Sequence, residues 1–175
     1  MPTKTGYSIV GGGGKGYINI GGWNTTLTDK STTQAEVPGV KRREGANVYI
    51  YAKHGTQSAA SAGLQVSISD PATDGGGTLI SPLVFTAIAG GGANPYLCKA
   101  LTVGTCLTNE YGWYFVEGVA SVSIATNTVT VALGGPICMS PASANKWIGC
   151  TATCQGFALT AIACDITGPA FLKLM

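Results

Sequence analysis

The sequence predicts an all-β fold, and three observations carry that expectation. Many short apolar stretches follow one another at close spacing, and Leu64–Ile68 alternates apolar with polar residues as a half-buried strand does. Most junctions between them hold Gly, Asn or Pro, the residues that supply turns. No long segment carries a helical apolar stripe; Ser58–Ala62 is Ala-rich but too short to sustain more than one helical turn. A small β-barrel or tulip-like sandwich with an extended N-terminal arm is the architecture expected.

The elements follow in order. Residues 1–36 are rich in Gly, Thr, Ser and Lys, and only Tyr17–Ile20 reads as a strand there, so they are expected to form the arm. Residues 37–175 are expected to form the β domain, with a division into 37–108 and 109–175 left open. Val48–Ala52, Leu64–Ile68 and Leu83–Ala89 read as strands, and Asp70–Gly77 as a loop by its turn chemistry. From Tyr111 the rhythm is regular. Gly112–Val116, Ala120–Ile124, Thr128–Leu133, Pro136–Met139, Trp147–Cys150, Gly156–Leu159 and Ala170–Leu174 are each expected as strands.

Composition bounds the function. Apolar residues make up 45% of the 175 residues and charged ones 10%, against about 25% in an ordinary soluble domain. A surface so poor in charge is expected to be covered by partners. Charge is also uneven: residues 1–54 hold ten charged side chains and the remaining 121 hold eight. The net charge of +2 is too small a bias to imply nucleic-acid binding. No apolar run reaches the roughly 18 residues of a membrane span. The segment from Met1 to Gly6 lacks the apolar stretch of a signal peptide, so a cytosolic origin is expected.

Cys98, Cys106, Cys138, Cys150, Cys154 and Cys164 are then expected to be reduced thiols acting as small buried hydrophobes. Convergence of several of them on a thiolate metal site is a minor alternative, since Cys150 and Cys154 lie at a spacing that zinc sites use less often.

Candidate chemistry meets an ordinary explanation at each position. Gly11, Gly13 and Gly16 fit G-x-G-x-x-G, but a strand-like Tyr17–Ile20 follows where the dinucleotide fingerprint needs a helix. Gly14–Gly16 lacks the Ser or Thr that a phosphate-binding loop places after its Lys. His54, the only histidine, reads as a surface turn residue. Glu110 and Glu117 are separated by an odd interval and would face opposite sides of one strand, which does not suit a carboxylate pair. Lys41–Arg43 reads as a solvated turn, with ion pairing between subunits as the alternative. Asn24–Thr26 is a glycosylation sequon with no secretory signal beside it. Tyr49, Tyr51, Trp113, Phe115, Trp23 and Trp147 read as core filling. No catalytic residue, cofactor site or metal site is assigned, and a non-enzymatic role is expected.

Two stretches carry a resemblance. Val37–Gly55 has a Gly-x-basic segment, a short turn and the aromatic strand Tyr49-Ile-Tyr-Ala-Lys53, and it resembles the N-terminal part of small capsid-associated proteins of tailed bacteriophages. Asn109–Ala120, with its Tyr111-Gly-Trp113 start, together with Gly156–Ala161 and Phe171–Leu174, resembles the barrel of phage decoration, or cement, proteins. The resemblance implies a virion structural protein on the outer capsid surface that bridges subunits of the major capsid protein. It implies a homotrimer, assembled in the host cytoplasm, with no catalytic residues, no cofactor, and neither nucleic acid nor membrane as partner. The alternative is an adhesive or carbohydrate-binding β module of a phage tail or fibre.

Overall fold

The computed structural model describes residues 23–55, 65–68, 84–87, 98–126, 129–140, 145–151 and 154–174. Among them there is no helix, and the all-β expectation is met. The strands are β1 (Lys41–Glu44), β2 (Asn47–His54), β3 (Gln65–Ile68), β4 (Val84–Ala87), β5 (Ala100–Thr102) and β6 (Tyr111–Ser123), followed by β7 (Pro136–Met139), β8 (Trp147–Gly149), β9 (Gly156–Ala158) and β10 (Thr167–Lys173). The expected strand at Tyr17–Ile20, the glycines at 11–16, the Ala-rich 58–62 and the loop at 70–77 lie outside the described residues.

All ten strands belong to one sheet in the order β1-β2-β4-β3-β5-β6-β10-β9-β7-β8. The pairings are antiparallel apart from a short parallel contact of β2 with β4. Among the described residues the sheet as a whole is not closed into a barrel, because β1 and β8 are its outer strands. Closure is local: β2 also pairs with β6, so pairing runs in a circuit through β2, β4, β3, β5 and β6.

The long strand β6 organises the rest. Its first half pairs with β2 along one edge, from Tyr111 opposite Lys53 to Glu117 opposite Val48. Its other edge takes β5 at Tyr114 and Phe115, and then β10 from Glu117 to Ser123. Both faces of its first half are covered, and Gly112 to Val116 are all buried. One face packs with Val48, Ile50, Ala52, Val66, Ala100 and Cys106 inside the five-strand circuit. A second core joins Phe115, Val122 and Ile124 to Ile137, Met139, Trp147, Ala158, Ala170 and Leu172. A division between residues 108 and 109 thus places β6 with the second half of the chain, although it pairs with β2 and β5 of the first.

Two strands expected on either side of Glu117 and Gly118 are this single strand. Gly118 reads as a turn but is passed through with φ of +126°, a conformation that side chains rarely adopt. There Asn47 Oδ1 accepts a hydrogen bond from the Val119 amide at 2.9 Å, and β10 takes over pairing beyond it. A Cβ at position 118 would sit 2.8 Å from the Asn47 Cα. The strand expected over Thr128–Leu133 is reduced to an isolated bridge of Val131 with Ile162, with Val129 and Leu133 exposed beside it. Strands β1 and β5 were not anticipated, because Lys41–Glu44 looks like a charged turn and Ala100–Thr102 is too short to show alternation.

The described part of the expected arm, residues 23–36, lies against β2 and β6. Trp23 meets Trp113 edge to face at 5.0 Å, and the Trp113 indole N–H donates to Thr25 Oγ1 at 2.9 Å. The Arg42 guanidinium stands 5.6 Å from the centroids of both indole rings and donates to the Thr25 carbonyl at 2.8 Å. Its second partner is Glu44 on the same strand. Farther along, the Ala35 amide donates to the Tyr51 hydroxyl at 3.2 Å, and Ser31 exchanges backbone hydrogen bonds with Tyr111. A desolvated cation between two aromatic faces contributes on the order of 2 kcal/mol.

Truncation of residues 2–36 is therefore expected to lower the midpoint of urea unfolding, not to leave an intact domain. Trp113→Ala is expected to cost about 3–5 kcal/mol by the same measurement. An unchanged midpoint in either variant would contradict the packing described.

Candidate interaction surface

His54 does not sit on a surface turn; it is fully buried. The end of β2 is covered because His54 exchanges backbone hydrogen bonds with Glu110 and Asn109. Its Nδ1 lies 3.1 Å from the Tyr114 hydroxyl, with the two rings stacked at 6.4 Å. The same hydroxyl lies 3.6 Å from Cys106 Sγ. Histidine, tyrosine and thiol thus share one buried polar network. Burial pushes both the Cys106 thiol and the Tyr114 phenol up. A thiol held protonated is a poor nucleophile, so the network suits tying β2 to β6 better than it suits catalysis.

The remaining candidates separate. Glu110 caps a turn, its Oε2 accepting from the Leu107 amide at 2.7 Å. Glu117 is half-buried on β6, opposite Lys173 of β10, and does not join Glu110 in a cleft. Lys41 and Arg43 are exposed on β1, whereas Arg42 is drawn into the aromatic cluster, so the triplet is an edge strand and not a solvated turn. Tyr51, Trp113 and Trp147 are buried; Tyr51 stacks on Tyr111 at 6.1 Å and meets Trp113 at 5.3 Å. Tyr49 stands edge-on to Phe115 at 5.9 Å. Among the described residues, no three His, Cys, Asp or Glu side chains are grouped to hold a metal ion.

The cysteines divide between two environments. Cys98, Cys106 and Cys138 are buried, whereas Cys154 and Cys164 are exposed and Cys150 lies between. Desolvation pushes the Cys98 thiol up to about 12 from 9.0.

What sequence reasoning missed is a row of apolar residues on the outside of the second half. Directly opposed residues of an antiparallel pair share a face. Val119 of β6 opposes Phe171 of β10, Phe171 opposes Phe157 of β9, and Phe157 opposes Pro136 of β7. The row crosses four strands. Val119 is 43% exposed, Phe157 is 44% exposed and Pro136 is exposed, with Phe171 half-covered between them. The two phenyl rings stack at 5.4 Å. The opposite face of the same strands is core, with Ala158, Ala170 and Leu172 fully buried.

Gly156 allows this arrangement. A Cβ there would collide with the Phe171 carbonyl and lie 3.1 Å from the Leu172 Cα, so only glycine lets β9 approach β10 so closely. Polar groups bound the row along the strands. Glu117 and Lys173 oppose each other on one side, and Ser121 stands on the other, opposite the exposed Pro169. Beyond Ser121, Lys146 donates to Ser123 Oγ at 2.9 Å and lies 3.8 Å from the Asp165 carboxylate. An aromatic centre with a polar rim is the usual anatomy of a protein–protein contact.

Phe157→Ser is expected to leave the fold intact, costing less than about 1.5 kcal/mol from the lost ring pair, while binding of an apolar dye to the native protein falls. Leu172→Ala, on the buried face, is expected to cost about 2–5 kcal/mol. Alkylation at mildly alkaline pH is expected to reach Cys154 and Cys164 well before Cys98. The stabilisation that Cys98 gives as a neutral thiol is present below pH 9.0, the ordinary value, and is lost as pH rises toward about 12. Alkaline unfolding curves with mass mapping check both points.

No protein-family model and no curated protein matches the chain. Among solved structures, the N base of the head fiber gp8.5 of bacteriophage phi29 is similar with a TM-score of 0.45 and 10% identity, covering 73% of this chain and 94% of that one. At this level the likeness carries no argument about function.

Proposed function

We propose that this chain is a non-enzymatic structural protein of a phage virion, held on the outer capsid surface by the apolar face of β6, β10, β9 and β7. The observation that carries the reading is the exposed row of Val119, Phe171, Phe157 and Pro136 with its polar rim. Aromatic anchors at the centre of a patch supply most of the affinity of protein contacts, and surrounding polar groups exclude water. The charge-poor composition and the motif resemblance of Val37–Gly55 and Asn109–Ala120 favour the same partner, the major capsid protein, with the chain bridging its subunits as a homotrimer.

One observation favours a second reading. Stacked, half-exposed phenyl rings such as Phe157 and Phe171 also offer a platform for the apolar face of a sugar, as an adhesive module of a tail or fibre would use.

Cryo-electron microscopy of the source particle separates the two. Under the capsid reading the chain lies on the shell at a fixed ratio to the major capsid protein, and a Phe157→Asp, Phe171→Asp variant rebinds to stripped shells at least tenfold more weakly. Density confined to the tail, or shells that bind the variant as well as the unmodified chain, would refute it.

A further inference from the structure

At the end of the apolar row Cys150 has a cysteine neighbour on either side, Cys138 and Cys154. Cys150 directly follows β8, where its amide donates to the Pro136 carbonyl at 3.0 Å, placing it beside the last residue of the row. Cys138, two residues along β7 from Pro136, shares that outer face and is covered there, at 5% exposure. Its thiol neighbours that of Cys150. On the other side Cys150 Sγ lies 3.0 Å from Cys154 Sγ, and Cys154 is open to solvent. The Cys150 sulfur thus stands between a buried sulfur and an exposed one. Cys98 and Cys106 are engaged elsewhere, with the Ala100 carbonyl and the Tyr114 hydroxyl.

We propose that Cys150 and Cys154 form a reversible disulfide when the protein meets a small-molecule disulfide such as oxidised glutathione. The two sulfurs, 3.0 Å apart, then close to a bond length of about 2.05 Å. In the first step the Cys154 thiolate attacks one sulfur of the small disulfide. The S–S bond breaks, a mixed disulfide forms at Cys154, and one small thiolate leaves and takes a proton from solvent. In the second, Cys150 gives its proton to solvent and its thiolate attacks the Cys154 sulfur, expelling the second small thiolate. Two protein thiols are oxidised and one small disulfide is reduced to two thiols.

The environment sets the order. Cys154 is reached first because it is exposed. Cys150 holds its proton, because burial and then the neighbouring thiols push its thiol up. Closure of the ring is therefore expected to quicken as pH rises between about 7 and 9, as the thiolate fraction grows. Cys138 is the built-in competitor, lying next to the same sulfur but shielded from the reagent.

The test treats the folded chain with oxidised glutathione and maps peptides without reduction, with cleavage after Phe157 to separate Cys164. The expected product is a peptide containing Cys150 and Cys154 that is lighter by two hydrogens and restored by dithiothreitol. Cys150→Ser is expected to stop at a stable glutathione adduct on Cys154, and Cys138→Ser to form the ring as before. A Cys138–Cys150 link as the main product, or a persisting Cys154 adduct in the unmodified chain, would overturn the proposal. Because Cys154 is exposed, Cys154→Ser keeps the test open should the Cys150 variant fail to fold. Its Cys150 is expected to take up less than a tenth of the glutathione, and rapid modification there would equally overturn the proposed order.

Discussion

The constraint on which the structure depends is a strand with no free face and hardly a free edge in its first half. From Gly112 to Val116 the backbone of β6 is buried, and a buried amide or carbonyl without a partner costs several kcal/mol. Both edges must therefore be occupied, and the chain supplies β2 to one and β5, then β10, to the other. Most of the topology follows from that demand. The five-strand circuit exists because β2 and β5 must flank the same residues, and the second core exists because β10 must continue where β5 stops. Gly118 is the switch between the two regimes, passing the strand through a conformation that would strain any other residue.

The segment before β1 answers a second demand of the same strand. Trp113 projects a large ring with one N–H donor, and such a group is stable in the interior only when the ring is covered and the donor engaged. Trp23 covers it, Thr25 accepts from it, and Arg42 lies against both rings. The packing joins residues far apart in sequence, so the strand β6 organises a segment some ninety residues before it.

Much of this was legible from the sequence, for identifiable reasons. Short apolar runs set off by turn residues mark strands, and β2, β7 and β10 are legible in that way, while β3 shows by its alternation of apolar and polar residues. Turn chemistry misled at Gly118, because glycine marks turns and strained strand positions alike. The basic Lys41–Glu44 hid a strand, since an edge strand tolerates charge that a central one excludes. His54 was misplaced because a single histidine carries no periodic signal, and its burial depends on Tyr114, sixty residues away. The apolar row was invisible for a related reason. Its members come from four segments, each contributing one residue that looks unremarkable in its own strand, and only the pairing register lines them up.

The outer strands of the sheet have a consequence for how the molecule behaves in a crowd. An open sheet invites other chains to add to its ends by backbone hydrogen bonding, and proteins deter this with charged or very short terminal strands. Both devices are present. Strand β1 presents Lys41, Arg43 and Glu44 to solvent, and β8 is only three residues long. In a chain with so little charge, a cluster at that edge guards against fibrous self-addition at the place where it would begin. The two kinds of surface thus differ in character: charge and shortness discourage growth at the sheet ends, while the apolar row of Val119, Phe171, Phe157 and Pro136 lies on a face of the sheet and not at its edge.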